Sequence, residues 1–570
     1  MLTYSISVYS WPKALLKDIE KCMRNFIWSG DIDKRKLVTT SWKKICRPFA
    51  QGGLNLRSLS KLNKATNLTL CWSLMNSQSS WATLLKDRVF RKKRIIKHHI
   101  FSSLWSSIKD EFGVIMDNST WILGNGEDIN FWNDNWCGTS LSDLFRIPTH
   151  ISQLLTSTVS DYLVNGHWVI PPQLTQAFNN LIAIVNQVTI PLEPCQDHLL
   201  WNHTDTGDLQ LKAAYQFKMQ NFQDLHWAKT IWNSDIPPSK SLLVWRLMLN
   251  KVPTDENLMI RGCYMPSMCS ICKSQVESSF HIFFECSFAV RTWSWLAGCL
   301  NLVLQFSSIE DIWKLCDLNW SPQCKTTLTV AIINLINILW FVRNQARFNN
   351  KLMSWDSGIA MIIANTTLTG NNTCKSSSNS IRDFNFLKFF RINIHQPKPT
   401  YFKEICWLPP LVNWLKCNID GASNGNPGNA SCRGIFRNHS AEFVFGFAEP
   451  LGITTSYFAE LYGAMRAFEI ASQNNWHNIW IETDPTLVVS AFQNPDKPIF
   501  WSLRNKWKNV LHLAKSMNFI VTHIFREGNQ VVDLMANHGL TLILIAYWQE
   551  APLFIRDCFD KNKLESKGLS

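Results

Sequence analysis

Charge is scarce in this chain of 570 residues. Charged side chains make up only 17% of the sequence, whereas aromatic side chains make up 12% and 27 residues are tryptophan. This composition argues against a largely disordered chain, because disordered segments are rich in charge and poor in aromatic residues. A folded chain of this length has room for three or four domains with their own cores.

The sequence also lacks a long uninterrupted apolar run. The best candidate for a membrane span, residues 328–342, is short and contains Asn334 and Asn337, so we expect a buried helix and no membrane partner. Residues 1–11 are apolar but have no basic start and no clear cleavage site, unlike a secretory leader. With 17 cysteines in addition, we expect a reducing intracellular compartment, nuclear or cytoplasmic, and no secretion.

Acidic residues are especially scarce near the N-terminus. Residues 1–110 contain 21 Lys and Arg but six Asp and Glu, whereas residues 405–570 contain 14 of each kind. Electrostatic binding of phosphates therefore belongs mostly to the N-terminal segment, notably to Arg88–Lys97 with its run Arg91-Lys-Lys-Arg94. A solvated helix face or a nuclear-import signal explains this basic run equally well.

Four acidic residues stand where strands are expected to end or helices to begin: Asp420, Glu460, Asp484 and Asp533. Asp420 closes an alternating apolar and polar strand that begins at Trp414. Glu460 lies in the first turns of a helix that Ser456 can cap. Asp484 follows a short apolar strand, and Asp533 begins a helix after another strand. We expect the four carboxylates to converge at one edge of a mixed sheet.

Converging carboxylates suit divalent metal ions. Mg²⁺ binds oxygen ligands and keeps several waters, so a few carboxylates and substrate phosphate oxygens complete its coordination. Two such ions can activate a water and stabilise the leaving oxygen of a phosphodiester. Without metal the four charges repel, and at least one pKa should rise. Each acid alone is more often a helix cap or a solvated surface charge, but four in matching contexts and order favour a metal site.

Residues 414–540 resemble the type 1 ribonuclease H domain of plant non-LTR (LINE-type) retroelements. The matching segments are Asn418-Ile-Asp-Gly-Ala-Ser, Ala459-Glu-Leu-Tyr-Gly-Ala, Ile481-Glu-Thr-Asp and His523-Ile-Phe-Arg-Glu-Gly-Asn-Gln-Val-Val-Asp533. The resemblance implies an α/β domain with a five-stranded mixed sheet flanked by helices. It also implies that Asp420, Glu460, Asp484 and Asp533 are the catalytic, metal-binding carboxylates for two Mg²⁺ or Mn²⁺ ions.

The resemblance extends to one histidine and fails at two positions. His523 lies at the family's spacing before the last aspartate, where a histidine can help to release product, but it could equally be a strand residue packed under a loop. Arg433 stands where the family has a small residue, and we expect it to crowd the approach of two strands. Val532 stands where alanine is common. Neither substitution removes a ligand.

A second pattern predicts zinc. Cys269, Cys272, His281 and Cys286 combine a Cys-x-x-Cys turn with a downstream histidine and cysteine, which are the ligand types that tetrahedral Zn²⁺ prefers. The alternative is a set of buried cysteines beside a core histidine. The flanking segments, which include Ile236-Pro237-Pro238 and Trp245-Arg246, resemble the zinc-binding region that follows reverse transcriptase in the same retroelements. With four protein ligands the zinc would be structural, and Cys263 is near enough in sequence to substitute.

The N-terminal part resembles the stretch downstream of the polymerase palm in these retroelements. The matching segments are Phe26-Ile-Trp-Ser-Gly, Trp42-Lys-Lys-Ile-Cys, Gly52-Gly-Leu-Asn-Leu and Trp121-Ile-Leu-Gly-Asn-Gly with Phe131-Trp132-Asn-Asp-Asn-Trp136. The sequence contains no Asp-Asp pair, so the polymerase's aromatic-x-Asp-Asp motif is absent. We therefore expect the C-terminal part of a retroelement polyprotein without reverse transcriptase activity.

These patterns predict a multidomain chain. The expected divisions are a basic, mainly helical segment (1–110), a Trp-rich connecting region (111–195), a zinc-binding domain (196–300), a helical connector with a flexible linker at 369–381 (301–405), a ribonuclease H domain (406–545) and a tail (546–570).

The predicted function is metal-dependent hydrolysis of the RNA strand of RNA–DNA hybrids, with nucleic acid as the partner. One alternative is a catalytically inactive nucleic-acid-binding remnant of a retrotransposon. Another is a fragment that does not fold as a unit without a polymerase. No feature of the sequence indicates an oligomeric state.

Overall fold

The structure, a computed structural model, describes residues 10–36, 38–91, 94–96, 100–219, 222–397, 399, 405, 407–497, 499–540 and 542–567. The chain divides into two compact units. Of the described residues, one unit contains Ser10, residues 64–217 and those from 405 to 567, and the other contains residues 11–63 and those from 218 to 399.

The chain before residue 405 is mainly helical, as predicted. Its helices are Lys13–Ser29, Trp42–Ile45, Leu59–Asn76, Ser80–Val89, Ser103–Ile108, Glu111–Asp117, Leu141–Leu144, Thr149–Ser152, Pro172–Ala177, Leu181–Val185, Leu211–Lys218, Ala228–Ile231, Pro238–Met248, Asp255–Met259, Ser287–Leu300, Asp311–Lys314, Pro322–Asn349, Trp355–Asn372 and Ile381–Phe389. In the part of this region that the structure describes, three short antiparallel pairs accompany them: Phe90–Arg91 with Arg94–Ile95, Ser119–Ile122 with His198–Trp201, and Leu163–Val164 with His167–Trp168.

The helix Pro322–Asn349 forms the centre of the second unit. It is long and apolar enough to cross a membrane by length and composition, but 78% of its most apolar window is buried within the protein. Ser321 caps its N-terminus by accepting a hydrogen bond from the backbone N–H of Cys324. Such burial is typical of a core helix, which agrees with the interpretation of residues 328–342 as a buried helix.

The expected flexible linker at 369–381 is wrong for this structure. Residues up to Asn372 belong to the helix Trp355–Asn372, and Thr373 and Ser377 are buried. The backbone N–H of Ser377 donates to the carbonyl of His395 at 2.7 Å. The Gly, Asn and Ser residues that suggested flexibility therefore belong to the end of a helix and to a following segment with buried side chains.

The Trp-rich connecting region has a core of its own. Phe131, Trp132 and Trp136 are buried together within it. Asp197, also buried, accepts hydrogen bonds from the backbone N–H groups of Gly124 at 2.6 Å and Gly126 at 3.0 Å. A Cβ atom at Gly124 would lie 2.4 Å from the carbonyl oxygen of Cys195, which explains the glycine of the Ile-Leu-Gly-Asn-Gly segment.

The C-terminal domain is a mixed sheet with helices. Its strands, numbered here β1 to β6, are Leu415–Gly425, Gly428–Arg437, Phe443–Thr454, Asn478–Thr483, Asn518–His523 and Ala546–Trp548. They lie in the order β5-β4-β1-β2-β3-β6. Strands β1, β2, β3 and β6 pair antiparallel, whereas β4 pairs parallel with β1 and β5. The helices, α1 to α5, are Ser456–Gln473, Thr486–Gln493, Arg504–Ala514, Gln530–Gly539 and Leu553–Lys567.

The sheet has six strands rather than the five expected. The sixth, β6, and the helix α5 belong to residues 546–570, which were interpreted as a tail. Ile555 and Phe559 of α5 are buried against Ile435 and Val532, so this segment completes the domain's second core. Its strand is only three residues long, which is too short to produce a recognisable alternation.

Local sequence explains how α1 reaches the sheet. The apolar stripe of this helix consists of Leu461, Ala464, Met465, Phe468 and Ala471, which are all fully buried. The helix begins at Ser456, and Thr455 rather than Ser456 is its cap, accepting from the backbone N–H of Phe458 at 3.3 Å. A Cβ atom at Gly421 would lie 2.3 Å from the backbone nitrogen of Glu460, so glycine is required where α1 crosses β1.

Helix α3 joins the C-terminal domain to the connecting region of the same unit. The Asn505 side chain donates to the carbonyls of Leu123 at 2.7 Å and Thr189 at 3.0 Å. Asn509 donates to the carbonyl of Ile190 at 2.9 Å and accepts from the backbone N–H of Leu192 at 2.8 Å. The domain is therefore packed against a segment that lies more than 300 residues earlier in the chain.

Candidate functional site

Three of the four predicted carboxylates meet at one edge of the sheet. Asp420 lies on β1, Glu460 in the second turn of α1 and Asp484 directly after β4. One ligand oxygen from each lies within 4.8 Å of the other two. The parallel pairing of β1 with β4 brings the two aspartates together, and the close approach of α1 at Gly421 brings in the glutamate.

This cluster is largely shielded from water. Glu460 is 4% exposed and Asp420 is 8% exposed. Burial, followed by the charges of Asp420 and Asp484, raises the pKa of Glu460 well above its ordinary value. Burial and the charge of Asp420 also raise the pKa of Asp484. Thr483 donates to Glu460 at 3.3 Å, and Oδ1 of Asp484 is buried without a hydrogen-bond partner. These three acids lie close enough to share a cation, whereas the sequence predicted a cluster of four.

Asp533, the fourth predicted carboxylate, is not among the acids whose oxygens meet. It lies in the first turn of α4, and Arg526 donates to its two carboxylate oxygens at 3.1 and 3.4 Å. Arg526, which the sequence interpretation did not single out, is exposed, with 73% of its side chain accessible. Its only signal in the sequence was a basic residue in the loop between β5 and α4.

His523 is the last residue of β5 and is exposed rather than packed under the loop. Its backbone pairs with Thr483, so it lies beside the strand end that carries Asp484. Its ring contacts the ring of Phe525 edge-on, with 4.9 Å between centroids. Its role in product release stays a prediction.

Arg433 does not crowd the strands. Strands β1 and β2 pair in unbroken register through the Asp420 and Arg433 positions, so the expectation of crowding was wrong. The Arg433 side chain is instead fully buried and directed at Asp420, donating from Nε to Oδ2 at 3.0 Å and also from Nη2 to the same oxygen. Residues directly opposite on paired strands point to the same face, which accounts for this contact. A guanidinium therefore contacts one member of the carboxylate cluster.

A buried polar network connects β1, β2 and β4 near the carboxylate cluster. Lys416 forms a buried ion pair with Glu482 at 2.9 Å, and Asn418 donates to the same carboxylate at 3.0 Å. The Asn418 oxygen accepts from Trp407 at 2.7 Å and from Arg437 at 2.9 Å. Burial lowers the pKa of Arg437 to about 9. These buried partners fix the strands that carry Asp420 and Asp484.

The donor set fits a divalent cation. Three carboxylate oxygens within 4.8 Å of one another match the oxygen preference of Mg²⁺ or Mn²⁺. Oδ1 of Asp484, which has no hydrogen-bond partner, is available as a metal ligand. One oxygen of Asp420 is already engaged by Arg433.

The predicted zinc ligands also meet. Atoms of Cys269, Cys272, His281 and Cys286 lie within 4.8 Å of one another. Sγ of Cys269 lies 3.9 Å from Sγ of Cys286, and Sγ of Cys272 lies 3.4 Å from Nε2 of His281. Tetrahedral zinc with bonds of about 2.3 Å to sulfur and about 2.0 Å to nitrogen requires separations of about 3.8 and about 3.5 Å. The four atoms are therefore spaced for one zinc ion. Cys263 is exposed and is not one of them.

Buried ion pairs lie beside the zinc-type cluster, which consists of Cys269, Cys272, His281 and Cys286. Glu277, fully buried, pairs with Arg343, whose Nε donates at 3.1 Å. Arg347 pairs with the buried Asp255 at 2.8 Å. Both arginines lie on the helix Pro322–Asn349. This network ties the loop that precedes His281 to the central helix.

The basic run at Arg88–Lys97 lies only partly within the described residues. Arg88 is exposed at the end of the helix Ser80–Val89, but Lys92, Lys93 and Lys97 lie outside the described residues. Phosphate binding by this run stays a prediction.

Comparisons with known proteins agree with both clusters. The family model described as "zinc-binding in reverse transcriptase" matches residues 209–293, and the model described as "Reverse transcriptase-like" matches residues 418–539. The first contains the four zinc-type ligands, and the second contains all four carboxylates.

One relative covers nearly the whole chain. "Putative ribonuclease H protein At1g65750" of Arabidopsis thaliana is 24% identical over 573 residues, covering 95% of this chain and 87% of the relative. "Uncharacterized mitochondrial protein AtMg00310" of the same species is 25% identical over 138 residues, covering 23% of this chain and 90% of its own length. The family models and the longer relative fit a protein derived from a plant retrotransposon.

Solved structures resemble the C-terminal domain. RNase H1 of Halobacterium salinarum is 26% identical, covering 22% of this chain and 97% of its own, with a TM-score of 0.21. LC11-RNase H1 in complex with an RNA/DNA hybrid is 23% identical, covering 22% of this chain and 94% of its own, with a TM-score of 0.21. The C-terminal domain lies in the region that matches the "Reverse transcriptase-like" model, and it follows a region that matches the zinc-binding model and a mainly helical N-terminal part.

Proposed function

We propose that this chain is a metal-dependent endoribonuclease that hydrolyses the RNA strand of RNA–DNA hybrids. The observation that carries the proposal is the convergence of Asp420, Glu460 and Asp484 within 4.8 Å at one edge of a ribonuclease H-like sheet. Buried carboxylates are costly unless a cation compensates them, so such a cluster is retained where a metal binds.

The chain's own residues have separate roles in this proposal. Asp420, Glu460 and Asp484 hold the divalent ion, and Thr483 orients Glu460 through its hydroxyl. Bound metal supplies an activated water and a positive charge beside the leaving oxygen. Asp533 would join the ligands once a substrate phosphate attracted Arg526 away from it, which the exposure of that arginine permits. His523 lies beside Asp484 and assists product release.

The zinc-type cluster has a structural role in the proposal. Four protein ligands leave no open coordination position, so zinc would stabilise the loop from Cys269 to Cys286 rather than act on substrate. Hybrid selectivity is inferred from the ribonuclease H resemblance, because carboxylates alone do not distinguish RNA from DNA.

The test is cleavage of a hybrid whose RNA strand is end-labelled, by the full chain, with and without added Mg²⁺. The full chain is required because α3 packs against the connecting region. Asp420→Asn should lower the cleavage rate by at least about 100-fold. Loss of a metal ligand reduces activity more than loss of a residue that is hydrogen-bonded to a ligand, which typically reduces it about 10–100-fold. Asp496→Asn, an exposed acid of the same domain, is the matched control and should cut like the parent chain.

A DNA duplex and an RNA duplex of the same sequence test the substrate class. Cleavage of all three would contradict hybrid selectivity. Cleavage unaffected by Asp420→Asn would contradict the assigned site.

A second candidate is a nucleic-acid-binding protein without turnover. It is favoured by the ion pairs that Asp420 makes with Arg433 and Asp533 makes with Arg526, because each engages a predicted metal ligand. Hybrid binding by the folded chain, in a mobility-shift assay, with no cleavage in Mg²⁺ or Mn²⁺ would establish this alternative.

A further inference from the structure

Among the charged groups of the carboxylate cluster, Arg433 has no place in the proposed hydrolysis. Its side chain is fully buried on β2, directly opposite Asp420 on β1. Nε and Nη2 both donate to Oδ2 of Asp420, and Nη1 is buried without a hydrogen-bond partner. We propose that Arg433 is a built-in counter-ion that competes with divalent metal for Asp420 and so weakens metal binding. This inference rests on the proposed function, because it concerns the same metal ligands.

The competition follows from the geometry. Oδ2 of Asp420 accepts two hydrogen bonds from one guanidinium, so its lone pairs are directed at nitrogen. A metal ion that takes this oxygen must break both hydrogen bonds. A metal ion bound through Oδ1 would keep these hydrogen bonds, but it would meet a carboxylate whose charge the guanidinium already offsets. On either oxygen the ion comes to lie beside a fixed positive charge, which repels it in a site shielded from water.

Burial makes Arg433 unlike the other arginine at this edge. Arg526 is mostly exposed, so it can leave Asp533 and be hydrated in the surrounding water. Arg433 is enclosed and has one unpartnered nitrogen already, so leaving Asp420 would strand the whole guanidinium without compensation. Displacing the Arg433 side chain from its carboxylate therefore requires more free energy than displacing Arg526.

The charge balance points in the same direction. Asp420, Glu460 and Asp484 are the three anions whose oxygens meet, and Arg433 cancels one of their charges. A cation-binding site depends on uncompensated negative charge, so an internal cation both stabilises the metal-free cluster and lowers its attraction for Mg²⁺. Arg433 would act as a positioning residue for Asp420 in the metal-free protein.

The experiment measures Mg²⁺ binding by titration calorimetry on the zinc-containing full chain. Arg433→Met keeps most of the side-chain volume and removes the charge, and we expect its Mg²⁺ dissociation constant to fall at least tenfold below that of the parent chain. Arg433→Lys keeps the positive charge and should bind within about threefold of the parent. Arg466→Met is the matched control, because Arg466 pairs with Glu449 and Glu469 away from the cluster.

Two further measurements locate the effect. Asp420→Asn added to Arg433→Met should abolish the gain, which places the improved site at Asp420. If Arg433→Met does not fold, Arg433→Ala is titrated instead, with the Mg²⁺-induced rise in unfolding temperature as a second readout. Equal Mg²⁺ affinities for the parent chain and the folded charge-removing variant would overturn the proposal, as would an equal gain in Arg466→Met.

Cleavage assays on the same proteins separate this inference from the proposed function. Tighter Mg²⁺ binding by Arg433→Met with no cleavage by any variant supports the counter-ion and contradicts the ribonuclease. Cleavage by the parent chain with an unchanged Mg²⁺ affinity in Arg433→Met supports the ribonuclease and contradicts the counter-ion.

Discussion

Replacing Glu460 by glutamine should stabilise the metal-free protein while removing a metal ligand. Glu460 is 4% exposed, and its carboxylate lies within 4.8 Å of the ligand oxygens of Asp420 and Asp484. Its pKa is raised well above the ordinary value, chiefly by burial and then by these two charges. Ionising this side chain in the folded protein is therefore unfavourable, and glutamine fills the same space without charge.

The size of the effect follows from the distances. Two unit charges 4.8 Å apart repel by about 3.5 kcal/mol at an effective dielectric constant of about 20. Arg433 offsets part of this repulsion. Protonation of Glu460 removes its charge and so limits how large the remaining repulsion can become. We expect Glu460→Gln to raise the free energy of unfolding by about 2 kcal/mol at pH 8, or the unfolding temperature by about 4–8 °C for a domain of this size.

The sign of the pH dependence is fixed by the direction of the pKa shift. A glutamate whose pKa is higher in the folded than in the unfolded state stabilises the fold fully below the unfolded pKa, near pH 4. That contribution is lost as the pH rises toward the raised pKa of the folded state. The parent chain and Glu460→Gln should therefore be equally stable near pH 4 and diverge as the pH rises.

Thermal unfolding from pH 4 to 8, without added divalent metal and with zinc retained, measures this difference. The matched control is Glu469→Gln on the same helix, which loses ion pairs with Arg466 and Lys506 and should be destabilised instead. Adding Mg²⁺ should stabilise the parent chain more than Glu460→Gln. Destabilisation of Glu460→Gln at pH 8, or a difference that does not change with pH, would refute the electrostatic reasoning.

Three other predictions follow from contacts elsewhere in the protein. Arg343→Met leaves the buried Glu277 without its closest partner and should lower the stability of the second unit by about 3–5 kcal/mol, seen as urea-induced loss of tryptophan fluorescence, whereas Lys351→Met should not. Cys286→Ser should remove one equivalent of bound zinc by metal analysis, whereas the exposed Cys263→Ser should retain it. Asn505→Ala leaves the carbonyls of Leu123 and Thr189 without this hydrogen-bond donor, so the free energy of unfolding should fall by about 1–3 kcal/mol. Hydrogen exchange of the backbone amides in residues 186–193 should also become faster. Unchanged exchange would contradict the role of this contact.

The positions of the main site residues could be predicted because each depends on nearby sequence. The alternation before Asp420 and the apolar stripe after Glu460 each specify one element and the face that it buries. The zinc-type ligands were predictable for the same reason, since a Cys-x-x-Cys turn needs no distant partner to bring two sulfurs together. The family resemblance then indicated how these elements assemble.

What the sequence did not reveal depends on contacts between distant residues. The Arg433 side chain could be assigned to Asp420 only from the register of β1 and β2, because a one-residue shift would have turned it to the other face. The binding of Asp533 by Arg526 depends on the conformation of a loop. The docking of α3 joins residues more than 300 positions apart through polar side chains that are equally suited to a solvated surface.

Arg433 connects the stability of this domain to its proposed activity. A metal-free cluster of buried carboxylates destabilises the fold that carries it, which is a common cost of active sites. A cation built into β2 relieves this repulsion without metal, because it lies opposite Asp420 and is excluded from water. The same contact that weakens metal binding therefore stabilises the empty fold. Because Arg433→Met reverses both effects, the variant that binds Mg²⁺ more tightly should also be the less stable one when metal is absent.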